Sequence, residues 1–120
     1  MGWAWVGLGV GGVLGAWLRF MITNLINRYW RYSFPIATFS INMIGSFALS
    51  SLYLFNFGVH QKFILYTFGS GLLGAFTTFS TFSYETALLL DRRAILASLS
   101  YFVLSVMLGI FCAWLATVLV

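Results

Sequence analysis

The sequence predicts an all-α integral membrane protein of four spanning helices, the third of them broken, and three observations carry that reading. Hydrophobic residues make up 62% of the chain and charged residues 7%, with a mean hydropathy of +0.99, whereas a soluble domain carries about a quarter charged residues. The apolar residues fall into runs at about 3–24, 35–55, 61–90 and 94–119, and a segment of about 20 residues crosses a bilayer core roughly 30 Å thick. The third run is too long for a straight crossing, because as unbroken helix it would reach about 45 Å. Gly69, Gly71 and Gly74, followed by Thr77, Thr78, Ser80 and Thr81, weaken helical hydrogen bonding where the surplus lies, so a break is expected near 74–78. Lipid satisfies no freed carbonyl or amide, so such backbone must be buried in protein or line a cavity. This stretch is therefore the expected functional centre.

One polytopic unit over residues 1–120 is expected, with no separate soluble domain. The net charge of +4 comes from basic residues at helix ends and in short loops, which is the decoration of membrane helices and not a nucleic-acid patch. Cys112, the single cysteine, lies in an apolar run, so no disulfide forms within the chain and no metal-ligand spacing exists; it reads as packing. The first apolar run has neither a basic segment before it nor a small-residue cleavage site after it, so it is kept as a helix and not as a signal peptide.

Helix one, residues 3–24, carries Gly7, Gly11, Gly15 and Arg19 at steps of four, which puts them on one slowly drifting face. The glycines offer a surface for backbone-to-backbone helix contact. Arg19 on that face points toward protein or a water-filled vestibule, where it attracts anions, or snorkels to the interface. The loop 25–34, with Arg28, Tyr29, Trp30, Arg31 and Tyr32, has the basic and aromatic mix of the headgroup level. Pro35 suits the first turn of helix two, where its missing N–H costs nothing. Along helix two, residues 35–55, Thr38, Asn42, Ser46 and Ser50 recur every four residues and draw a polar stripe on an apolar cylinder. Asn42 stands out, because a carboxamide near mid-helix needs several partners, in a pore or between helices.

His60 has no acid or cysteine beside it and reads as a solvated interfacial side chain. In the third run Phe79 and Phe82 share a face if that part is helical, and the hydroxyls interleaved with them point to rings that border a cavity. Helix four, residues 94–119, repeats Ser98, Tyr101, Ser105, Gly109 and Cys112 at steps of three and four. Helices two, three and four thus each present hydroxyls with no charge at mid-depth, which describes a narrow neutral path.

Three motifs coincide in this frame: Gly11-Gly12-x-x-Gly15-Ala16-x-x-Arg19, Asn42-x-x-Gly45-Ser46-Phe47, and Gly71-x-x-Gly74-x-x-Thr77-Thr78-Phe79-Ser80-Thr81-Phe82. Together they resemble the Fluc fluoride channel family, also called CrcB; the likeness covers all four helices, and the third motif is the specific one. Ala37 before Thr38 departs from the glycine common there. The resemblance implies an antiparallel, dual-topology homodimer in a bacterial inner membrane, with two fluoride pores along its interface and passive fluoride export as its activity. It also implies that Phe79 and Phe82 turn ring edges to fluoride and that Asn42 donates its amide. Ser80, Thr81, Tyr101 and Ser105 extend a polar track, with Thr38 on the same pathway and Arg19 in the vestibule. By the same resemblance, carbonyls of Gly74 and Thr77 are expected to hold a structural sodium ion at the dimer interface.

The nearest rival is a small four-helix cation or drug antiporter, which needs a membrane-embedded carboxylate for proton exchange. The only acids here are Glu85 and Asp91, both late in the third run. A non-transporting assembly subunit explains the glycines but not the polar stripes, and no nucleophile, base and acid constellation suggests an enzyme. Arg28, Arg31, Arg92 and Arg93 share one side and Lys62 takes the other, a bias toward one orientation.

Overall fold

The computed structural model describes residues 2–120, and among them it contains helices and turns but no strand. Helix α1 spans Gly2–Tyr29. It continues past residue 24 because Leu25 and Ile26 prolong the apolar run and no glycine or proline intervenes. The turn that follows is closed by the Trp30 indole donating to the Phe34 carbonyl at 2.7 Å. Pro35 sits one residue ahead of helix α2 (Ile36–Leu54), as its cap, and its carbonyl accepts the Phe39 amide at 3.2 Å. Between α2 and the third segment, Asn56 Oδ1 takes the Gly58 N–H and Gln61 Oε1 takes the Phe57 N–H. A single 3-10 turn, Gly58–His60, then leads in.

The third segment is composite: α3 (Gln61–Ile64), a π-helical stretch (Leu65–Leu73), α4 (Gly74–Phe76), an extended residue at Thr77, and α5 (Ser80–Asp91). The broken third helix is thus present, with its non-helical backbone at Thr77 and Thr78. Gly69 and Gly71 do not unravel the chain; they lie, buried, in the widened π-helical turns. Gly69 faces Leu49 and Leu52 of α2, and Gly71 faces Leu8 and Gly11 of α1, the helix whose main partner is this stretch. A methyl group on Gly11 would run into the Thr67 carbonyl, and one on Gly15 into the Leu72 carbonyl. Two backbones therefore meet directly, the close approach that small residues four apart allow between membrane helices.

Helix α5 ends in a tight reversal. Arg93 adopts a left-handed conformation (φ 60°), and the Arg93 and Ala94 amides return to the Leu90 and Leu89 carbonyls, the usual way of satisfying the last carbonyls of a helix. Helix α6 (Ile95–Leu119) then packs along α2 and α5. Ser50 Oγ donates to the Ala113 carbonyl and Ser98 Oγ to the Thr86 carbonyl. Phe82, Leu89 and Tyr101 form a buried cluster with Phe34 and Phe39 packed on it. Outward, α6 shows Leu96, Val103, Met107 and Ile110, a surface suited to lipid or to another helix. Helices α1, α2 and α6 and the joined third segment are each long and apolar enough to cross a membrane, so the protein is a multi-pass membrane protein.

Candidate functional site

The break is assembled by a side chain from another helix. Asn42, mid-way along α2, donates its Nδ2–H to the Thr78 carbonyl at 3.0 Å and accepts the Thr78 N–H on Oδ1 at 2.9 Å. One carboxamide thus pairs with both backbone polar groups of one residue, as a neighbouring strand would. Gly45, one turn along, leaves room for the Thr77 methyl, which any side chain there would strike. The Thr78 hydroxyl then caps α5: it accepts the Thr81 N–H at 3.2 Å and donates to Thr81 Oγ1 at 3.1 Å, with Ser80 Oγ at 3.4 Å.

These bonds have a consequence for two carbonyls. In an uninterrupted helix the Gly74 carbonyl would receive the Thr78 N–H and the Thr77 carbonyl the Thr81 N–H. Both donors are diverted, one to Asn42 and the other to the Thr78 hydroxyl. Among the described residues nothing donates to either carbonyl. Gly74 is exposed and Thr77 half-buried, so neither residue is closed in by the single chain.

Two cavities flank the break. The first, about 330 Å³, is lined by Asn42, Ser46, Phe79, Phe82 and Ser105, with Met43 beside them; no charged side chain reaches it. The second, about 540 Å³, has Arg19, Thr38, Thr81 and Glu85 in its wall. Thr78 borders both. Phe79 and Phe82 have ring centroids 6.0 Å apart, yet Phe82 is 8% exposed and Phe79 78%. Phe82 also lies 5.1 Å from the Tyr101 ring. Tyr101 is fully buried with its hydroxyl unpaired, and the Ser105 hydroxyl is likewise buried without a partner. Leaving a hydroxyl unpaired costs about 1–3 kcal/mol; Ser105, which lines the first cavity, is suited to meeting a ligand, whereas Tyr101 lines neither cavity.

The structure therefore gathers Asn42, Phe79, Phe82 and Ser105 at one cavity and Thr38, Thr81 and Arg19 at the other. Ser80 is exposed beside the break, and Tyr101 stands behind Phe82. The stripes divide: Ser50 and Ser98 spend their hydroxyls on helix carbonyls, so only part of each stripe faces a cavity. Two residues went unremarked as site members in the sequence. Glu85 accepts the Thr38 hydroxyl at 2.5 Å in the second cavity; an acid inside an apolar run was the available signal. Thr78 had no signal of its own, being one hydroxyl among several.

Residues 6–117 match the family of CrcB-like proteins (Camphor Resistance, CrcB). The chain is 39% identical over 113 residues to the fluoride-specific ion channel FluC of Campylobacter jejuni (strain 81116), covering 93% of each protein. It is also 39% identical to fluoride-specific ion channel FluC 1 of Carboxydothermus hydrogenoformans, over 91% of this chain and 89% of the relative. With FluC of Thermosipho melanesiensis the identity is 38%, over 93% and 91%. A match of this extent, running through α1, the Asn42 helix, the broken segment and α6, makes the chain a member of the CrcB-like family.

Proposed function

We propose that the chain is a fluoride-selective channel that lets fluoride leave the cell passively and so lowers its cytoplasmic concentration. The observation that carries this reading is the uncharged cavity at the break, which brings a carboxamide, two phenyl rings and an unpaired hydroxyl to one place. A phenyl ring has a positive edge, and edges, amides and hydroxyls together replace part of a small anion's hydration without trapping it as an arginine would. In this pathway Phe79 and Phe82 offer ring edges, Asn42 offers its second N–H, and Ser80, Thr81, Tyr101 and Ser105 extend the donors; Thr38, whose hydroxyl hydrogen is given to Glu85, lines the same pathway. Arg19 draws anions into the vestibule. The relatives' description as fluoride-specific ion channels supports the choice of anion.

Two copies inserted in opposite senses complete the path. Supporting this is the exposure of Gly74, Phe79, Ser80 and Thr81 on a single chain, since a helix break and its free carbonyls are not stable against lipid. Between the copies, carbonyls of Gly74 and Thr77 from each chain would hold a sodium ion; hard oxygen donors with no other partner suit a cation, and its charge offsets the cost of an anion at low dielectric. A bacterial inner membrane is the setting that fits. A cation or drug antiporter is less suited, because Glu85 lies late in the third segment and is engaged by Thr38.

Efflux from proteoliposomes loaded with fluoride or chloride tests the proposal. Fast fluoride loss with chloride retained is expected; equal rates, or loss that requires a proton gradient, would overturn it.

A further inference from the structure

The diverted amides at the break assign a role to a residue that touches neither the anion's rings nor the cation. We propose that Thr78 is the positioning residue of the cation site, holding the Gly74 and Thr77 carbonyls free of helical hydrogen bonds so that they can bind a monovalent cation; the inference rests on the sodium site proposed above. The geometry divides the work between the two ends of one residue. Its backbone N–H, which would return to Gly74, is drawn off by Asn42 Oδ1 at 2.9 Å. Its hydroxyl takes the Thr81 N–H at 3.2 Å, the donor that would otherwise return to Thr77.

The hydroxyl also donates to Thr81 Oγ1, so its single hydrogen is committed and its lone pair is the part that receives the amide. Thr78 is buried at 9% exposure, so water does not readily substitute for that lone pair. A side chain of the same shape without the oxygen leaves the Thr81 N–H with the Thr77 carbonyl as its natural acceptor. That carbonyl then belongs partly to the helix and less to the ion. A carbonyl already engaged by an amide is a poorer cation ligand, so affinity falls although no ligand atom has been removed.

The test uses the assembled dimer in detergent, with Tm measured across a sodium series balanced by N-methylglucamine. A ligand that binds only the folded state raises stability as the logarithm of its concentration once that exceeds Kd, so the sodium concentration at which Tm starts to climb reads the affinity directly. For Thr78→Val the onset is expected to move up about tenfold, the size of one hydrogen bond's preference, while Thr78→Ser stays at the wild-type onset. A helix cap with only a structural role would lower Tm equally at every sodium concentration and leave the onset in place, and that result overturns the proposal. So does Thr78→Ser behaving like Thr78→Val. Should Thr78→Val not assemble, the onset is read from Thr78→Ala; failure of both makes Thr78 a folding residue and also overturns it. Wild-type protein whose Tm ignores sodium removes the cation site itself, a different failure that the wild-type series alone reveals.

Discussion

At the scale of single residues, the site depends on Asn42 having more hydrogen-bonding groups than one job requires. A carboxamide carries two N–H donors and an acceptor oxygen; Thr78 occupies one N–H and the oxygen, which leaves one N–H for an anion. Asn42→Leu is therefore expected to do two things at once. It strands the Thr78 peptide, at about 1–3 kcal/mol for each group left unsatisfied, and it abolishes fluoride efflux; thermal unfolding and liposome flux read the two effects separately. The phenylalanines divide differently. Phe82 is buried among Tyr101 and Phe102 while Phe79 stands open, so Phe82→Ile should cost about 1 kcal/mol in packing and Phe79→Ile almost nothing within one chain. Both should slow fluoride at least about tenfold, since each loses a positive ring edge and 1.4 kcal/mol at a barrier is tenfold in rate. Wild-type flux in two well-assembled isoleucine variants would make the rings packing only. The importance of Asn42 was legible in the sequence because a lone carboxamide in an apolar helix has few explanations. Its pairing with Thr78 was not, because nothing local connects residues 36 apart along the chain.

At the scale of elements, the third segment shows which sequence signals carry through and which are redirected by packing. Its surplus length was legible, and a break follows from length and bilayer thickness alone. The glycines were expected to mark the weak point, yet they support a widened π-helical run, and the extended residues follow after them. The physical reason is α1: with Gly11 and Gly15 on its buried face, its backbone presses directly on the Thr67 and Leu72 carbonyls, a contact whose gain outweighs poorer helix geometry. A leucine at Gly15 has no space to enter, because its first obstacle is backbone and not a movable side chain. Gly15→Leu should thus destabilise the fold by about 1–3 kcal/mol or more. Gly9→Leu, on the open side of the same helix where an added carbon meets nothing, should leave Tm unchanged. Similar Tm values for the two variants would show that α1 does not pack through its glycine face. Arg93 belongs to this scale too: the turn at 91–93 was legible from where the apolar runs stop, but the left-handed residue that closes α5 is usually glycine, and an arginine gives no sign of that conformation.

At the scale of the whole molecule, the arrangement of one chain points outward. The uncharged cavity, Gly74 and Phe79 all lie at a surface, and lipid would leave the break unsatisfied. A second copy in the opposite sense, as proposed, would turn that open face into an interior and would bring four carbonyls to one cation. Charge distribution bears on whether the membrane permits it. Arg28, Arg31, Arg92 and Arg93 lie on the side where α1 and α5 end, against Lys62 on the other, and such a bias acts on orientation during insertion. The proposed antiparallel dimer would nevertheless require both orientations in nearly equal number, so the stability of the pair, and not the charge rule alone, would have to retain the disfavoured one. A C-terminal reporter active on only one face of the membrane is therefore expected to give signal on both faces. Shifting charge should then be informative: Arg92→Gln with Arg93→Gln reduces the bias and should bring the two signals closer together without lowering fluoride flux per dimer. Signal confined to one face in the wild-type protein, together with intact fluoride efflux, would show that a parallel assembly covers the break.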